Sequence, residues 1–429
     1  MPKPTLHAEV PFGPRLTVRD WRLSNGLRLV LLRDRSAPVV SYQTWLGVGS
    51  GHETKGKTGL AHFFEHLMFN ETKTVPHGEF DRRFEEVGAE SNAATWTDWT
   101  CFYENLPSRD LPLAIELEAD RLQNLVLKKK QIESEREVVM SERRDRIDDD
   151  VEGRAGELLW STALPNHPYR HPTLGWMRDI RAFTIDDCRR FYRTWYAPNN
   201  VVLAVAGRFD ERSLLESVSR AYGRMKPSRL PEPPDHRPVR RRKERRKELR
   251  MAVSAEKLHV AYPAPAFSDP DWVVLSVIGQ HLFVSQSSRL HRELVMKREL
   301  ANQVWGYLPP FALDSLYEIG VDLRPDVNGE EALAIIDQEI AALLQRGIGD
   351  DALERAKARL ELGLFSSMES AGGKADLLGF YATLGLSPAG IFHRIDATKA
   401  VTEADVHRVA ARVFDPKRRT VLFVRPESA

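Results

Sequence analysis

The sequence predicts an α+β fold in which a linker joins two similar domains, each a mainly antiparallel sheet with helices packed on it. Its 429 residues exceed what one ordinary hydrophobic core organises, so two or more domains are expected. A proline-rich, basic stretch interrupts the chain near its middle, and one helix-then-strand pattern closes each half. Together these features predict a duplicated domain.

The repeated pattern is the strongest of these signals. Thr184, followed three residues later by an aspartate, predicts a helix start, and Pro198 predicts its end. Thr402 and Pro416 repeat this pattern at the same spacing. A strand is predicted after each helix, at 201–205 and at 420–424.

The interruption covers residues 226–250. It contains five prolines, four of them within 231–238, and then the basic run Arg240 to Arg250. Such a run can bind an acidic partner, but a solvated connector is the simpler interpretation. The predicted organisation is therefore an N-terminal domain over 1–225, a linker over 226–250 and a C-terminal domain over 251–429.

Composition narrows the class of protein. The 62 basic and 61 acidic residues nearly cancel, which gives no support for a nucleic-acid partner. No apolar run is long enough to predict a membrane span. The first residues lack an apolar signal core, so a soluble cytoplasmic protein is expected, or a periplasmic one if a signal peptide preceded this sequence. Two cysteines, Cys101 and Cys188, indicate ordinary buried thiols.

Further elements are predicted in the first half. Leu27, Leu29 and Leu31 alternate as in a strand, and a second apolar run covers 39–48. Residues 91–103 have strand composition, whereas 59–69, 111–127 and 131–146 have helical spacing of apolar residues.

One predicted helix carries the run His62-Phe63-Phe64-Glu65-His66. Two histidines four residues apart lie on one helix face, and zinc accepts imidazole nitrogens at about 2.0–2.1 Å. Glu65, three residues after His62, also faces the metal and can take a proton from a zinc-bound water. The run therefore predicts one zinc ion with a catalytic base beside it.

The alternative to a metal site is a surface helix that happens to contain two histidines. The flanking residues are apolar almost all round, which indicates a buried helix: Leu60, Phe63, Phe64, Leu67, Met68 and Phe69. Buried histidines and a buried glutamate require partners, so the metal interpretation is favoured.

A third zinc ligand is expected, because catalytic zinc takes three protein ligands. Glu135 and Glu142, seven residues apart, share a helix face with Ile132 and Val139. They could serve the metal or be exposed charges at the edge of that face, and composition does not decide between the two.

The run H-x-x-E-H resembles the inverted zinc motif of the pitrilysin/insulinase peptidase family, especially its short-chain branch, which includes the mitochondrial processing peptidase. The resemblance implies that His62, His66 and Glu142 are the zinc ligands. It also implies that Glu65 and Glu135 are the catalytic pair, with Glu135 supporting the site. The implied architecture is half of a clamshell of two such chains.

The segment 88–95 resembles the family's active-site edge strand, to which an extended peptide adds by backbone hydrogen bonds. The resemblance implies that substrate binds along four consecutive residues: Asn92, Ala93, Ala94 and Thr95.

The second half departs from the family pattern. Catalytic relatives carry an arginine and a tyrosine where alignment places Val295 and Asn302. Either the alignment is displaced, or a second, homologous chain supplies the pair. The second explanation predicts a heterodimer whose zinc-bearing subunit is this chain.

The function predicted from these observations is a zinc-dependent endopeptidase subunit that hydrolyses peptides or unfolded segments. Two alternatives use the same fold: a non-catalytic scaffold subunit, and a subunit that holds peptides without cutting them. The intact set of His62, Glu65, His66 and Glu142 argues against both.

Overall fold

The computed structural model describes residues 3–233 and 243–427. The chain divides into two compact units, each assembled from three separate stretches. The first unit contains residues 3–143, 172–233 and 365–393, and the second contains 144–171, 243–364 and 394–427. Both units combine a sheet with helices, which confirms the predicted α+β class. The domain boundaries predicted from the sequence stay a prediction.

The first unit is built on a seven-stranded sheet in the order β1-β2-β3-β7-β4-β6-β5. All neighbouring strands are antiparallel except β3 and β7. The strands are β1 (Thr5–Phe12), β2 (Leu16–Arg22), β3 (Arg28–Arg33), β4 (Val39–Leu46), β5 (Glu90–Thr95), β6 (Thr100–Pro107) and β7 (Val201–Gly207). The helices are α1 (Leu60–Leu67), α2 (Glu79–Glu86), α3 (Leu111–Asn124), α4 (Lys129–Arg143), α6 (Met177–Arg181), α7 (Ile185–Trp195), α8 (Glu211–Tyr222) and α12 (Ala371–Thr383).

The second unit is built on a five-stranded sheet in the order β10-β11-β9-β12-β8, in which β8 and β12 are parallel. The strands are β8 (Arg245–Met251), β9 (Lys257–Ala264), β10 (Ala301–Tyr307), β11 (Ser315–Leu323) and β12 (Thr420–Pro426). The helices are α5 (Val151–Ala163), α9 (Asp271–Leu282), α10 (Gly329–Arg346) and α14 (Glu403–Val413). Two further helices, α11 (Asp350–Ser366) and α13 (Gly390–Ala400), contain boundaries between the units.

The predicted repeat is present in both units. Thr184 begins α7 and Thr402 begins α14, and each threonine forms a capping box with the aspartate three residues later. The capping box satisfies two of the amides that a helix start leaves without partners. The strand that follows, β7 or β12, lies inside its sheet in each case.

Each sheet is covered on one face by a helix distant in sequence from most of its strands. In the first unit, α12 packs on β4, β7 and β3, and Gly379 lies so close to Trp45 that a Cβ there would be 2.1 Å from the indole. In the second unit, α5 packs through Ala155 and Leu159 against the residues Ala261, Leu316 and Leu422. These apolar contacts bury one face of each sheet.

Two predicted elements differ from the structure. Residues 91–103 form not one strand but the hairpin β5–β6, whose turn lies between Thr95 and Thr100. The end of the predicted linker, Arg245 to Arg250, belongs to the edge strand β8, which its parallel pairing with β12 stabilises. Residues 234–242 of the linker lie outside the described residues. No helix within 3–233 or 243–427 is long and apolar enough to cross a membrane.

Candidate metal centre

The helix that carries the two histidines starts at a position that only glycine suits. Gly59, its N-cap, has φ 94°, and a Cβ there would lie 2.5 Å from the Leu174 carbonyl oxygen. The Glu53 carboxylate accepts hydrogen bonds from the amides of Gly59 and Ala61, at 2.6 and 2.7 Å. A carboxylate there also complements the positive end of the helix dipole. These contacts fix where α1 begins and therefore which side chains face the site.

The structure brings His62, His66 and Glu142 together. In the part of the chain that the structure describes, these three residues form a group whose possible metal-binding atoms all lie within 4.8 Å of one another. Glu142 Oε2 is 3.6 Å from His62 Nε2 and 3.3 Å from His66 Nε2. Four donors arranged tetrahedrally at about 2.0–2.1 Å from zinc lie roughly 3.3–3.4 Å apart. Two nitrogens and one carboxylate oxygen at these separations fit a zinc ion.

Glu135 contacts the ring of His66 on its other side. Its Oε1 lies 2.9 Å from His66 Nδ1. Burial lowers the pKa of His66, but hydrogen bonds and charges from Glu135 and Glu142 outweigh it and raise the pKa to about 9. Because Nδ1 of His66 bonds to Glu135, the other ring nitrogen, Nε2, is directed toward Glu142.

Helix α4 is held in place by two arginines, each of which directly follows one of the glutamates Glu135 and Glu142. Arg136 donates to the Phe183 carbonyl oxygen and Arg143 donates to the Gly175 carbonyl oxygen, both at 2.6 Å. Ile132 and Val139 are buried on this helix, as the sequence pattern predicts. The fixed position of α4 sets the distance between its carboxylates and the histidines of α1.

Glu65 and His66 line a cavity of about 230 Å³. Glu135 also lines it, together with three residues that sequence reasoning missed: Phe69, Asn70 and His77. Phe69 could have been found, because it is three residues after His66 and therefore close to the same helix face. His77 lies in a loop, and no periodicity in the sequence indicates its position.

Strand β5, which carries Asn92, Ala93, Ala94 and Thr95, forms one edge of the first sheet and pairs only with β6 among the described strands. Ala93 donates its amide to Asn92 Oδ1 at 2.8 Å. An amide in an antiparallel ladder faces either the neighbouring strand or the free edge. This bond to a side chain indicates that Ala93 directs its backbone N–H away from β6.

Val295 and Asn302 lie in the second unit. Val295 is in a π-helical turn, His291–Lys297, and packs against the apolar core of that unit. Asn302 is on the edge strand β10, and its side-chain amide donates to the Leu323 carbonyl oxygen at 3.4 Å. Valine offers no hydrogen-bond donor, and the Asn302 amide already has an acceptor.

The chain matches two models of one peptidase family. The model described as "Insulinase (Peptidase family M16)" matches residues 28–176, and the one described as "Peptidase M16 inactive domain" matches residues 182–360. A zinc protease PqqE from Helicobacter pylori is 29% identical over 415 residues, which cover 94% of this chain and 92% of that protein. A probable mitochondrial-processing peptidase subunit beta from Arabidopsis thaliana is 24% identical over 449 residues, covering 99% of this chain and 81% of that protein.

Two solved structures of proteases have the same fold as this chain. A protease from Helicobacter pylori superposes with a TM-score of 0.91 at 27% identity, covering 99% of this chain and 100% of that chain. The periplasmic protease PqqL from Escherichia coli has the same fold, with a TM-score of 0.76 at 20% identity. That match covers 97% of this chain but 48% of that chain. The two models of one family follow each other along the sequence and together match most of it. This chain therefore belongs to peptidase family M16, the insulinase family.

Proposed function

We propose that the chain is the zinc-bearing subunit of an endopeptidase that cleaves peptides or unfolded segments. One observation carries the proposal: His62 Nε2 and His66 Nε2 lie 3.6 and 3.3 Å from the same oxygen of Glu142. An intact donor set with this spacing is not expected of a subunit that serves only as a scaffold. The names of the relatives, which include zinc proteases, support the choice of metal.

Each residue of the site has one task in this proposal. His62, His66 and Glu142 hold the ion, which would supply a Lewis acid that acidifies water and polarises a carbonyl. Glu65, beside His66 in the 230 Å³ cavity, takes the proton that the attacking water gives up and passes it to the leaving amine nitrogen. Glu135 positions His66 rather than touching the peptide.

The peptide would be held as an additional strand along β5. The Ala93 amide, bonded to Asn92 Oδ1, would exchange that acceptor for a carbonyl oxygen of the peptide. Main-chain hydrogen bonds of this kind favour extended substrates over folded ones, because a folded protein seldom presents an unpaired strand.

A second chain is proposed to complete the site. Val295 and Asn302 occupy the two positions where catalytic relatives carry arginine and tyrosine, but valine has no hydrogen-bond donor and asparagine has neither a positive charge nor a phenol. One relative is named as a subunit, and in another this fold occupies 48% of the chain, which leaves room for a second copy. The proposed partner is a homologous chain that supplies the arginine and tyrosine.

The test compares wild type with Glu65→Gln and with Glu137→Gln, an exposed glutamate on α4. Zinc content is measured by elemental analysis, and cleavage is measured on an unfolded polypeptide with and without a homologous chain that carries the arginine and tyrosine. We expect about one zinc in each variant and loss of cleavage only in Glu65→Gln, by roughly 10²-fold or more.

Two outcomes would contradict the proposal. Undiminished cleavage by Glu65→Gln would exclude that residue as the base. Zinc-free protein that binds the polypeptide without cutting it would favour the alternative of a non-catalytic, peptide-holding subunit. Full activity of the isolated chain would remove the requirement for a partner but would leave the zinc assignment intact.

A further inference from the structure

The first unit contains a second cavity, of about 800 Å³, that the peptidase site does not use. It is lined by residues before β1, on β2 and β3, and on α8, among them Lys3, Trp21, Arg33, Ser219 and Arg220. Its volume is in the range of about 300–1,000 Å³ that small-molecule sites occupy. Three strands separate β3 from β5, so this cavity lies roughly 19 Å or more from the proposed peptide-binding edge.

The carboxylates around this cavity already have partners. Glu211 accepts from Arg19 at 2.6 Å and from the Trp21 indole N–H at 3.0 Å. Asp210 accepts from the Ser213 amide and hydroxyl as the N-cap of α8. Glu216 accepts from Arg212 at 3.0 Å. Asp210 also interacts with the charge of Arg33, which contributes to lowering the pKa of Asp210 after the bonds from Ser213, but no salt bridge joins the two residues.

Three of the five cations that line the cavity form no salt bridge with a carboxylate among the described residues: Lys3, Arg33 and Arg220. Arg33 is only partly exposed at the end of β3, and its Nε is buried without a hydrogen-bond partner. A planar guanidinium presents two parallel N–H groups that match a carboxylate or a phosphate. The charge in the cavity therefore favours an anion.

A second, independent observation comes from Ser219. Its side chain is 6% exposed, and its hydroxyl is buried without a hydrogen-bond partner in the part of the chain that the structure describes. A buried hydroxyl without a hydrogen-bond partner is unfavourable, and a ligand that accepts its hydrogen bond removes this cost. Trp21 and Leu215 add an apolar wall to the same cavity.

We propose that this cavity binds a small anionic ligand that carries a flat apolar ring. The anionic group, a phosphate or a carboxylate, bonds to Arg33 with support from Lys3 and Arg220. The Ser219 hydroxyl donates to the same group. The ring packs against Trp21 and Leu215. A mononucleotide and an aromatic carboxylic acid both combine an anionic group with a flat ring. They are the two classes of ligand that the test distinguishes.

The test is isothermal titration calorimetry on the full chain, with adenosine 5′-monophosphate, indole-3-acetate, adenosine and inorganic phosphate as separate probes. At least one of the two ring-bearing anions should bind, and adenosine and inorganic phosphate should bind at least about tenfold more weakly. If only the nucleotide binds, the anionic group that the cavity recognises is a phosphate. If only indole-3-acetate binds, that group is a carboxylate.

The variants separate a built site from general charge attraction. Arg33→Gln should weaken binding by about tenfold or more, and Arg33→Lys should recover only part of the loss, because lysine lacks the forked donor. Arg189→Gln, which removes an exposed charge on α7, should change the affinity less than about twofold. Thermal unfolding checks that each variant is folded.

Three results would overturn the proposal. The first is that neither ring-bearing anion binds with a dissociation constant below about 5 mM, which would already be a very weak affinity. The second is unchanged binding by Arg33→Gln. The third is inorganic phosphate binding as tightly as the nucleotide, which would remove the role of the ring. Because binding is measured directly, each result is independent of whether the chain cleaves peptides.

Discussion

Glu135 Oε1 lies 2.9 Å from His66 Nδ1, on the side of the imidazole opposite Glu142. A hydrogen bond to the outer nitrogen fixes both the tautomer and the orientation of a metal-binding histidine. The carboxylate can therefore control the affinity for zinc without touching the ion.

The first prediction tests this positioning role. Glu135→Gln should weaken zinc binding and lower kcat by about 10–100-fold, because the amide neither carries a charge nor holds the ring in one orientation. Zinc affinity is measured by competition with a chromophoric chelator, and Glu137→Gln on the exposed face of α4 is the matched control. Equal affinities in the two variants would show that Glu135 has no part in orienting His66.

The second prediction concerns the start of α1. Gly59 and Gly78 are both helix N-caps with positive φ, but a Cβ at Gly78 meets no atom within 4 Å, whereas at Gly59 it meets the Leu174 carbonyl. Gly78→Ala should lower the free energy of unfolding by about 1 kcal/mol, the cost of the left-handed backbone alone. Gly59→Ala should lower the free energy of unfolding clearly more than Gly78→Ala does, and it should also weaken zinc binding. Denaturant unfolding checks the first statement and metal competition the second.

The third prediction concerns a buried charge cluster in the first unit. Arg121 is 1% exposed, pairs with Glu104 and Glu118, and lies over the ring of Phe102. Burial and the charge of Glu118 raise the pKa of Glu104 well above its ordinary value, although Arg121 opposes them. Two buried carboxyl groups thus compete for the charge of one arginine.

Arg121→Met should therefore lower the free energy of unfolding by about 3–5 kcal/mol, because it leaves a buried carboxylate without a cation. Glu104→Gln removes one of the two carboxyl groups that compete for Arg121, so it should cost less, under about 1 kcal/mol at pH 7. Chemical denaturation of both variants decides. A loss in Glu104→Gln as large as that in Arg121→Met would show that Arg121 needs both carboxyl groups.

The fourth prediction concerns acid stability. Burial raises the pKa of Asp187, but bonds from Lys57 and Thr184 outweigh it and lower the pKa from 3.8 to about 2. A lowered folded-state pKa contributes stability that is complete above pH 3.8 and is lost as the pH falls toward 2. Between pH 5 and pH 2, Asp187→Asn should thus lose about 2 kcal/mol less of its unfolding free energy than wild type. The exposed neighbour variant, Asp186→Asn, should follow the wild-type pH dependence.

Local signals in the sequence predicted the parts of the molecule that local contacts determine. The capping boxes at Thr184 and Thr402 depend on residues three apart, and the positions of His62 and His66 depend on one turn of helix. The sequence predicts one strand where β5 and β6 form a hairpin, because residues of the turn, such as Trp96 and Trp99, are typical of strands.

Features that arise from distant contacts were not predictable in the same way. The basic composition of 245–250 indicates exposure, and only pairing with β12, far along the chain, makes this segment a strand. From the sequence alone, Arg121 is expected to be a surface charge. Only the folded chain brings two carboxyl groups and aromatic rings into contact with it. The cavity around Arg33 likewise combines four elements that the sequence gives no reason to place together.

The helix α12 has a consequence for how the chain is made. It covers β4, β7 and β3 of the first unit, yet it follows them by more than 160 residues. On the ribosome, the sheet behind the proposed metal centre must therefore wait, with one apolar face uncovered, until synthesis passes Thr383. Nascent chains stalled before residue 371 should therefore be protease-sensitive and should recruit chaperones.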